Sequence, residues 1–213
     1  RGVLAGQAGD HGLPPSQVSA FMHAGITHHY LDGGYYPLGG AFTLPRAFVR
    51  ALKRSGGEIR LNCRVKRILV EAKTSSPKGK VLGVELDSGK EIRASVVICN
   101  ADPEVTFGKL IGKEKLSPRL KRKVDSVRYS TSCLSLFFAT DMDLRRDAGL
   151  DSGNFWFYDH ANVDKIYADG LTDAVLSEET PAGMFLTATT LKDPSKIHSG
   201  HHTCESFAFV GYE

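Results

Sequence analysis

Apolar residues recur at helical spacing near the start of the chain and again around residue 45. The first run predicts a helix that begins after Ser16, a suitable N-cap, and continues to Tyr30. The second run predicts a helix over 41–55, which the pair Gly56-Gly57 ends. Further helical patterns are present at 104–111, 117–127 and 161–168.

Strand patterns fill the intervals between these helices. Short segments at 58–62, 65–70, 81–86 and 91–93 include one hairpin, with its loop at 87–90. Residues 94–99 are apolar except for Ser95, a pattern typical of a strand covered on both faces of a mixed sheet. Further strands are predicted at 131–140, 155–158, 184–190 and 203–210. Together the patterns indicate a fold of the α/β to α+β class.

The composition is that of an ordinary globular protein and argues against nucleic-acid binding and against a membrane-spanning segment. Of 213 residues, 41% are hydrophobic and 24% are charged, and the net charge is +3. That charge is too small to indicate nucleic-acid binding, and the basic run 113–123 is interpreted as a solvated helix face. No stretch approaches the roughly 20 apolar residues of a membrane span. We expect a protein of the cytoplasm or of a membrane surface.

The cysteines and histidines do not have the spacing of a metal site. Cys99 and Cys133 lie inside apolar strand patterns, so we expect both to be buried as small hydrophobic residues. The sequence predicts neither a disulfide framework nor a zinc site, and favours a reducing compartment. His23 and His28 are five positions apart, which favours polar positions at a helix end over metal ligands.

Both ends of the chain carry patterns that are usual inside a protein. The chain starts within a weak helical pattern and ends within an apolar strand pattern. Natural chains more often end in polar, mobile segments. We therefore interpret the sequence as a piece of a longer protein.

Two segments are candidate ligand contacts. The glycine-rich loop at 33–40 precedes a predicted helix, but it lacks the spacing of a dinucleotide fingerprint and the Gly-Lys-Ser/Thr of a phosphate-binding loop. It fits a structural turn and a ligand-facing loop equally well. The turn at 100–103 follows the predicted strand 94–99, where cofactors dock in α/β proteins, although Asn and Asp also form purely structural turns. No nucleophile stands in the sequence context of a hydrolase.

Four segments in combination resemble one family of flavoproteins. They are GGYYPLGG at 33–40, GGEIRLNCRVKRI at 56–68, VLGVEL at 81–86 and VICNADP at 97–103. Their order is similar to that in the phytoene desaturase, carotenoid isomerase and retinol saturase group of the amine-oxidase-like class. The resemblance is collinear over 33–112, and the remaining residues follow the family more loosely.

The resemblance implies a fold and a reaction for the whole protein. FAD would be held by a split Rossmann-type domain, of which 33–112 is a part. Residues 1–32 would be a helical segment of a mixed-sheet substrate domain, and 113–213 an incomplete portion of that domain. The enzyme would be an FAD-dependent oxidoreductase of the phytoene dehydrogenase type. It would desaturate, saturate or isomerise carbon–carbon double bonds of an apolar, carotenoid-like polyene.

The resemblance also implies contacts. The backbone of Val65 would lie by the adenine, and the loop with Gly39 and Gly40 would pass near the flavin. The remaining contacts are a cofactor turn at Asn100, Ala101 and Asp102 and a substrate cavity lined by Tyr36, Phe137, Phe155 and Phe157. No general acid or base is implied. We expect peripheral membrane contact for substrate access and no nucleic-acid partner.

The sequence departs from the family in lacking the G-x-G-x-x-G segment and the closing glycine-rich segment over the flavin. We therefore expect the isolated chain to self-associate and to bind no FAD. Two alternatives remain: an amine oxidase that acts on C–N bonds, and a binding or scaffold module that keeps the fold without flavin.

Overall fold

The computed structural model describes residues 2–71, 79–172 and 181–211. The chain forms two compact units, one made of Arg1–Ser55 with Tyr129–Glu213 and the other of Gly56–Arg128. The boundaries predicted at 32/33 and 112/113 differ from those of the compact units, and the functional assignment of the three ranges stays a prediction.

Helices occur in both units. The α-helices are α1 (Gly2–Ala5), α2 (Ala20–His29), α3 (Thr43–Arg54), α4 (Pro118–Asp125), α5 (Val163–Gly170) and α6 (Thr189–Lys192). A π-helix spans Glu104–Gly112, and 3₁₀ turns span Gly6–His11, Pro15–Gln17, Lys113–Lys115 and Pro194–Lys196.

Side-chain caps explain where several helices begin. The Ser117 hydroxyl accepts a hydrogen bond from the Leu120 N–H at 3.3 Å, and Pro118 occupies the first turn of α4, where no N–H is needed. In the same way, the Ser19 hydroxyl accepts from the Met22 N–H at 3.2 Å at the start of α2. The predicted cap at Ser16 was wrong by three positions, because the intervening residues form a 3₁₀ turn at Pro15–Gln17.

The unit of residues 56–128 contains a three-stranded sheet. Its strands are β1 (Val65–Val70), β2 (Val81–Leu86) and β3 (Glu91–Arg93), in the order β1-β2-β3. The predicted hairpin is confirmed, and the 87–90 loop joins β2 to β3. Ile68 and Leu86 are buried, and the π-helix packs against β1.

The other unit contains a four-stranded sheet. Its strands are β4 (Ser132–Thr140), β5 (Asn154–Tyr158), β6 (Gly183–Ala188) and β7 (His202–Val210), in the order β4-β7-β6-β5. All pairings among the strands of both sheets are antiparallel in the described ranges, so a mixed sheet is not observed there. The predicted combination of helices and sheets is confirmed, and its arrangement is α+β.

The predicted buried strand at 94–99 was wrong. These residues form no strand, and Val96 and Ile98 are 72% and 94% exposed. An apolar run becomes a strand only when a neighbouring strand supplies its hydrogen bonds, and no described strand lies beside this one. The segment 58–62 is also not a strand. Cys99 and Cys133 are exposed rather than buried.

Candidate functional site

The four-stranded sheet has one face that we call the Trp156 face. The register pairs Trp156 with Phe185 and Phe185 with Phe207, so these aromatic side chains share that side of the sheet. Tyr167 of α5 covers part of it, with its ring stacked 4.5 Å from that of Phe209 and only 1% of the residue exposed. Aromatic packing therefore fixes α5 on this face.

A row of polar side chains crosses the same face at one end. Asn154 is paired with Thr187, Thr187 with Glu205, and Glu205 with Phe137 of the edge strand β4. We call Asn154, Thr187 and Glu205 the polar row. Thr187 is 6% exposed, and its hydroxyl makes no hydrogen bond to any described residue. A buried hydroxyl without a partner is unusual, because burying it loses its hydrogen bonds to water.

Lys192 reaches the polar row from the end of α6. Its ammonium donates a hydrogen bond to Asn154 Oδ1, and Nζ lies 5.6 Å from the centroid of the Tyr36 ring. Burial lowers the pKa of Lys192, and the nearby Glu205 carboxylate acts in the opposite direction. The row therefore carries one cation and one anion, together with an amide and a hydroxyl.

The glycine loop of residues 33–40 is fastened to the segment that follows α6. The carboxylate of Asp193, which is 1% exposed, accepts hydrogen bonds from the Gly39 N–H at 2.7 Å and from the Ser195 hydroxyl at 2.7 Å. Those bonds, with Ser195 contributing most, lower the pKa of Asp193. Gly39 and Gly40 have φ angles of +89° and +83°, a region that favours glycine. A Cβ on Gly40 would lie 3.3 Å from Lys196 Cε.

The four predicted substrate contacts lie on different sides of the sheet. Tyr36 lies beside Lys192, and Phe137 lies on the Trp156 face, where it is 71% exposed. Phe155 and Phe157 alternate with Trp156 along β5 and therefore lie on the opposite face, with their rings 6.3 Å apart. The structure thus groups Tyr36 and Phe137 near the polar row. The substrate role of all four side chains stays a prediction.

The other predicted cofactor contacts lie in the unit of residues 56–128. Val65 begins β1 opposite Leu86, and Asn100 and Ala101 are exposed. Asp102 Oδ1 accepts hydrogen bonds from the N–H groups of Glu104 and Val105, at 2.7 and 3.1 Å, and so caps the π-helix.

The chemical groups at Asn100 and its neighbours are of a type that could contact a cofactor. The exposed Asn100 side chain and the backbone around it offer donors and acceptors to an adenosine or a ribityl chain. The capping oxygen of Asp102 is already occupied by two N–H groups. All of the predicted cofactor contacts remain predictions.

Sequence reasoning did not find the polar row, Lys192 or Asp193. The row depends on the register of three strands, which the sequence does not specify. Asp193 did have a local signal, since Asp-Pro-Ser is typical of a capped turn, and Asp193 Oδ1 does accept from the Ser195 N–H at 3.2 Å.

The described residues contain neither a metal-binding cluster nor a membrane-spanning helix. Within the described ranges, no group of three or more His, Cys, Asp or Glu side chains could hold a metal ion. None of the described helices is long and apolar enough to cross a membrane.

The sequence model of the flavin containing amine oxidoreductases matches residues 5–202. The chain belongs to this family. The match covers most of both compact units, and the resemblance seen in the four motifs is confirmed.

The curated relatives of the chain include retinol 13,14-reductases and phytoene desaturases. An all-trans-retinol 13,14-reductase of Danio rerio is 29% identical over 221 residues, which is 100% of this chain and 35% of that protein. A neurosporene-forming phytoene desaturase of Rhodobacter capsulatus is 33% identical over 108 residues, 51% of this chain and 20% of that protein. An inactive all-trans-retinol 13,14-reductase of Danio rerio is 28% identical over 189 residues, 86% of this chain and 30% of that protein. The chain therefore spans about a third or less of these relatives.

Proposed function

We propose that this chain is part of an FAD-dependent oxidoreductase that acts on carbon–carbon double bonds of an apolar polyene, by desaturation, saturation or isomerisation. Strand β4 carries the observation that best supports it. Leu134 and Leu136 are each 62% exposed and share the face of the sheet that carries Phe155 and Phe157, whereas Phe137, 71% exposed, lies on the Trp156 face. Large apolar side chains exposed together are suited to an apolar ligand. The names of the relatives, a retinol reductase and a phytoene desaturase, support the same substrate class.

The flavin would supply the hydride or electron chemistry. Its contacts from this chain would be Gly39, Gly40, Val65, Asn100, Ala101 and Asp102. The turn at Gly39 and Gly40 is held by the buried Asp193 carboxylate, so the loop presents its backbone in a fixed conformation. A fixed loop positions a ligand at a lower entropic cost than a mobile one.

The substrate would be bound by apolar side chains that exclude water. Tyr36 and Phe137, near the polar row, would form a wall of the cavity on the Trp156 face, and Phe155 and Phe157 would form a second apolar surface on the opposite face of the sheet. Burial of an apolar substrate against such side chains contributes about 25 cal/mol for each Å² removed from water. An apolar substrate of this kind would be collected by peripheral contact with a membrane.

The test uses the full-length holoprotein under anaerobic conditions. We expect phytoene to reduce the oxidised flavin, or all-trans-retinol to reoxidise flavin that has first been reduced with dithionite, and the product to have an altered number or geometry of conjugated double bonds. Phe137→Ala should raise KM for the polyene, whereas Phe21→Ala on α2, which is 90% exposed, serves as a matched control. Turnover of benzylamine without any reaction of the polyenes would favour the amine oxidase alternative. Absence of bound flavin would favour the scaffold alternative.

A further inference from the structure

A buried hydroxyl without a partner lies at the centre of the polar row. Thr187 Oγ1 has no hydrogen-bonding partner among the described residues, although the residue is 6% exposed. Its two cross-strand neighbours, Asn154 and Glu205, place further polar groups on the same face. Glu205 likewise makes no hydrogen bond or ion pair to a described residue. The row thus retains hydrogen-bonding capacity that the described fold does not use.

Lys192 completes the set of groups at this position. One of its protons is donated to Asn154 Oδ1, which leaves the amide nitrogen of Asn154 as a donor. Lys192 is half-buried, and its hydrogen bond to Asn154 holds the ammonium at the row. The site therefore combines donors from Lys192, Asn154 and Thr187 with an acceptor carboxylate from Glu205.

We infer that Lys192 and the polar row bind a hydroxyl group at the end of the polyene substrate, an inference that rests on the proposed function. A hydroxyl accepts a hydrogen bond from Lys192 or Thr187 and donates one to Glu205. For a carboxylate, attraction to Lys192 would be offset by repulsion from Glu205, and for an amine the two effects would be reversed, so a neutral group that both accepts and donates suits this pair of charges best. A hydrocarbon end would leave the buried polar groups unpaired.

The neighbours of the row suit an apolar body attached to this polar end. Phe137 is exposed and lies beside Glu205 on the neighbouring strand β4, and the Tyr36 ring lies beside the Lys192 ammonium. An apolar chain could therefore lie along Phe137 while its hydroxyl meets the row. Binding sites for small molecules commonly combine an apolar wall with a few placed polar groups.

The test compares three ligands on the full-length holoprotein: all-trans-retinol, all-trans-retinoic acid and the hydrocarbon in which hydrogen replaces the hydroxyl group of retinol. Dissociation constants are measured by quenching of protein fluorescence. We expect retinol to bind at least about tenfold more tightly than either of the others. Lys192→Met and Thr187→Val should each raise the dissociation constant for retinol by about tenfold, and neither should weaken the binding of the hydrocarbon.

The controls separate a ligand contact from a structural role. Lys165→Met removes an exposed lysine that pairs with Asp169 on α5. It should change the dissociation constant of neither retinol nor the hydrocarbon. If Thr187 were only a buried hydroxyl, Thr187→Val would raise or maintain Tm and leave the retinol affinity unchanged, which would overturn the inference. Equal binding of all three ligands would also overturn it, while the proposed function stands. If no polyene binds at all, the proposed function fails first.

Retained flavin absorbance and a Tm no lower than that of the unmodified protein serve as checks that each variant is folded. Should Lys192→Met lose its flavin, Thr187→Val provides the same comparison with a change of almost no volume. A loss of retinol preference in that variant supports the inference, and an unchanged preference overturns it.

Discussion

The carboxylate of Asp193 accepts a hydrogen bond from the backbone N–H of Gly39 at 2.7 Å, across 154 positions of the sequence. The same carboxylate caps the 3₁₀ turn at Pro194–Lys196 through Ser195. One buried side chain therefore fixes both the glycine loop and the turn that follows Lys192. Changes at Asp193 should affect the loop and the polar row together.

Asp193→Ala in the full-length protein should lower Tm by about 2–4 °C, because the Gly39 N–H and the turn both lose their acceptor. It should also reduce flavin occupancy if the loop contacts the cofactor. Thermal unfolding and the ratio of flavin to protein absorbance measure both effects. Asp169→Ala is the control, since its pair with Lys165 is on the surface and contributes little. An unchanged Tm in Asp193→Ala would contradict the anchoring role.

Gly40→Val should reduce flavin content or turnover. The φ angle of +83° at Gly40 is unfavourable for valine, and the strain costs on the order of 1–3 kcal/mol. Gly200→Val is a matched control, because Gly200 has a φ of +76° and open space around its Cβ position. The measurement is the flavin absorbance near about 450 nm together with the turnover rate. Equal effects of the two substitutions on flavin content would show that only backbone strain is involved.

Tyr167→Phe should destabilise the protein by about 1–3 kcal/mol, because the buried Ala8 carbonyl would lose its donor. The Tyr167 hydroxyl donates to that carbonyl at 3.1 Å, and the residue is 1% exposed. Urea unfolding measures the change. The comparison is Tyr35→Phe, whose residue is 92% exposed and whose hydroxyl bond to the Asp32 carbonyl lies in solvent. A similar loss in both variants would argue against a buried hydrogen bond at Tyr167.

Acidification should destabilise the packing of α2 through His11, which contacts His23 of that helix. His11 Nε2 lies 3.0 Å from His23 Nδ1, and His23 Nε2 lies 2.6 Å from the Leu4 carbonyl oxygen. Because that carbonyl only accepts, His23 donates from Nε2, which leaves its Nδ1 to accept a hydrogen bond from His11 Nε2. Burial, followed by the nearby His23, lowers the pKa of His11 below its ordinary 6.5.

The folded protein thus binds a proton on His11 less readily than the unfolded chain. The stability from the neutral ring is fully present above pH 6.5 and is lost as the pH falls below that value toward the lower folded pKa. Tm measured from pH 7.5 to 5.5 should fall less steeply in His11→Gln than in the unmodified protein. His201→Gln, at an exposed position, should keep the original slope. Parallel curves for all three proteins would contradict the prediction.

Residues 1–213 expressed alone should self-associate and bind no measurable FAD. Ile98 is 94% exposed, and Phe48 on α3 is 75% exposed, so large apolar side chains face water in both compact units. Light scattering measures the size, and a titration with FAD measures the binding. Ile98→Ser should reduce association, while Ser88→Ala in the β2–β3 loop should not. A monomer that binds FAD would show that these residues form a complete binding domain.

Local pattern determined much of this protein. Helical spacing and a polar loop were enough to predict α3 and the β2–β3 hairpin, because their hydrogen bonds join residues close in sequence. Four short motifs were enough to identify the family, because the residues of each motif are contiguous and can be compared without knowledge of any tertiary contact.

Tertiary structure decided the rest. The 94–99 run looked like a buried strand, but a strand requires the N–H and C=O groups of a neighbour, which its own residues do not encode. The polar row joins Asn154, Thr187 and Glu205 only through the register of three strands, and a shift by one residue would send Thr187 to the opposite face. Register depends on packing across the whole sheet. The sequence by itself therefore determined the family and the local elements, and the tertiary structure alone brought Lys192 to this row and Asp193 to Gly39.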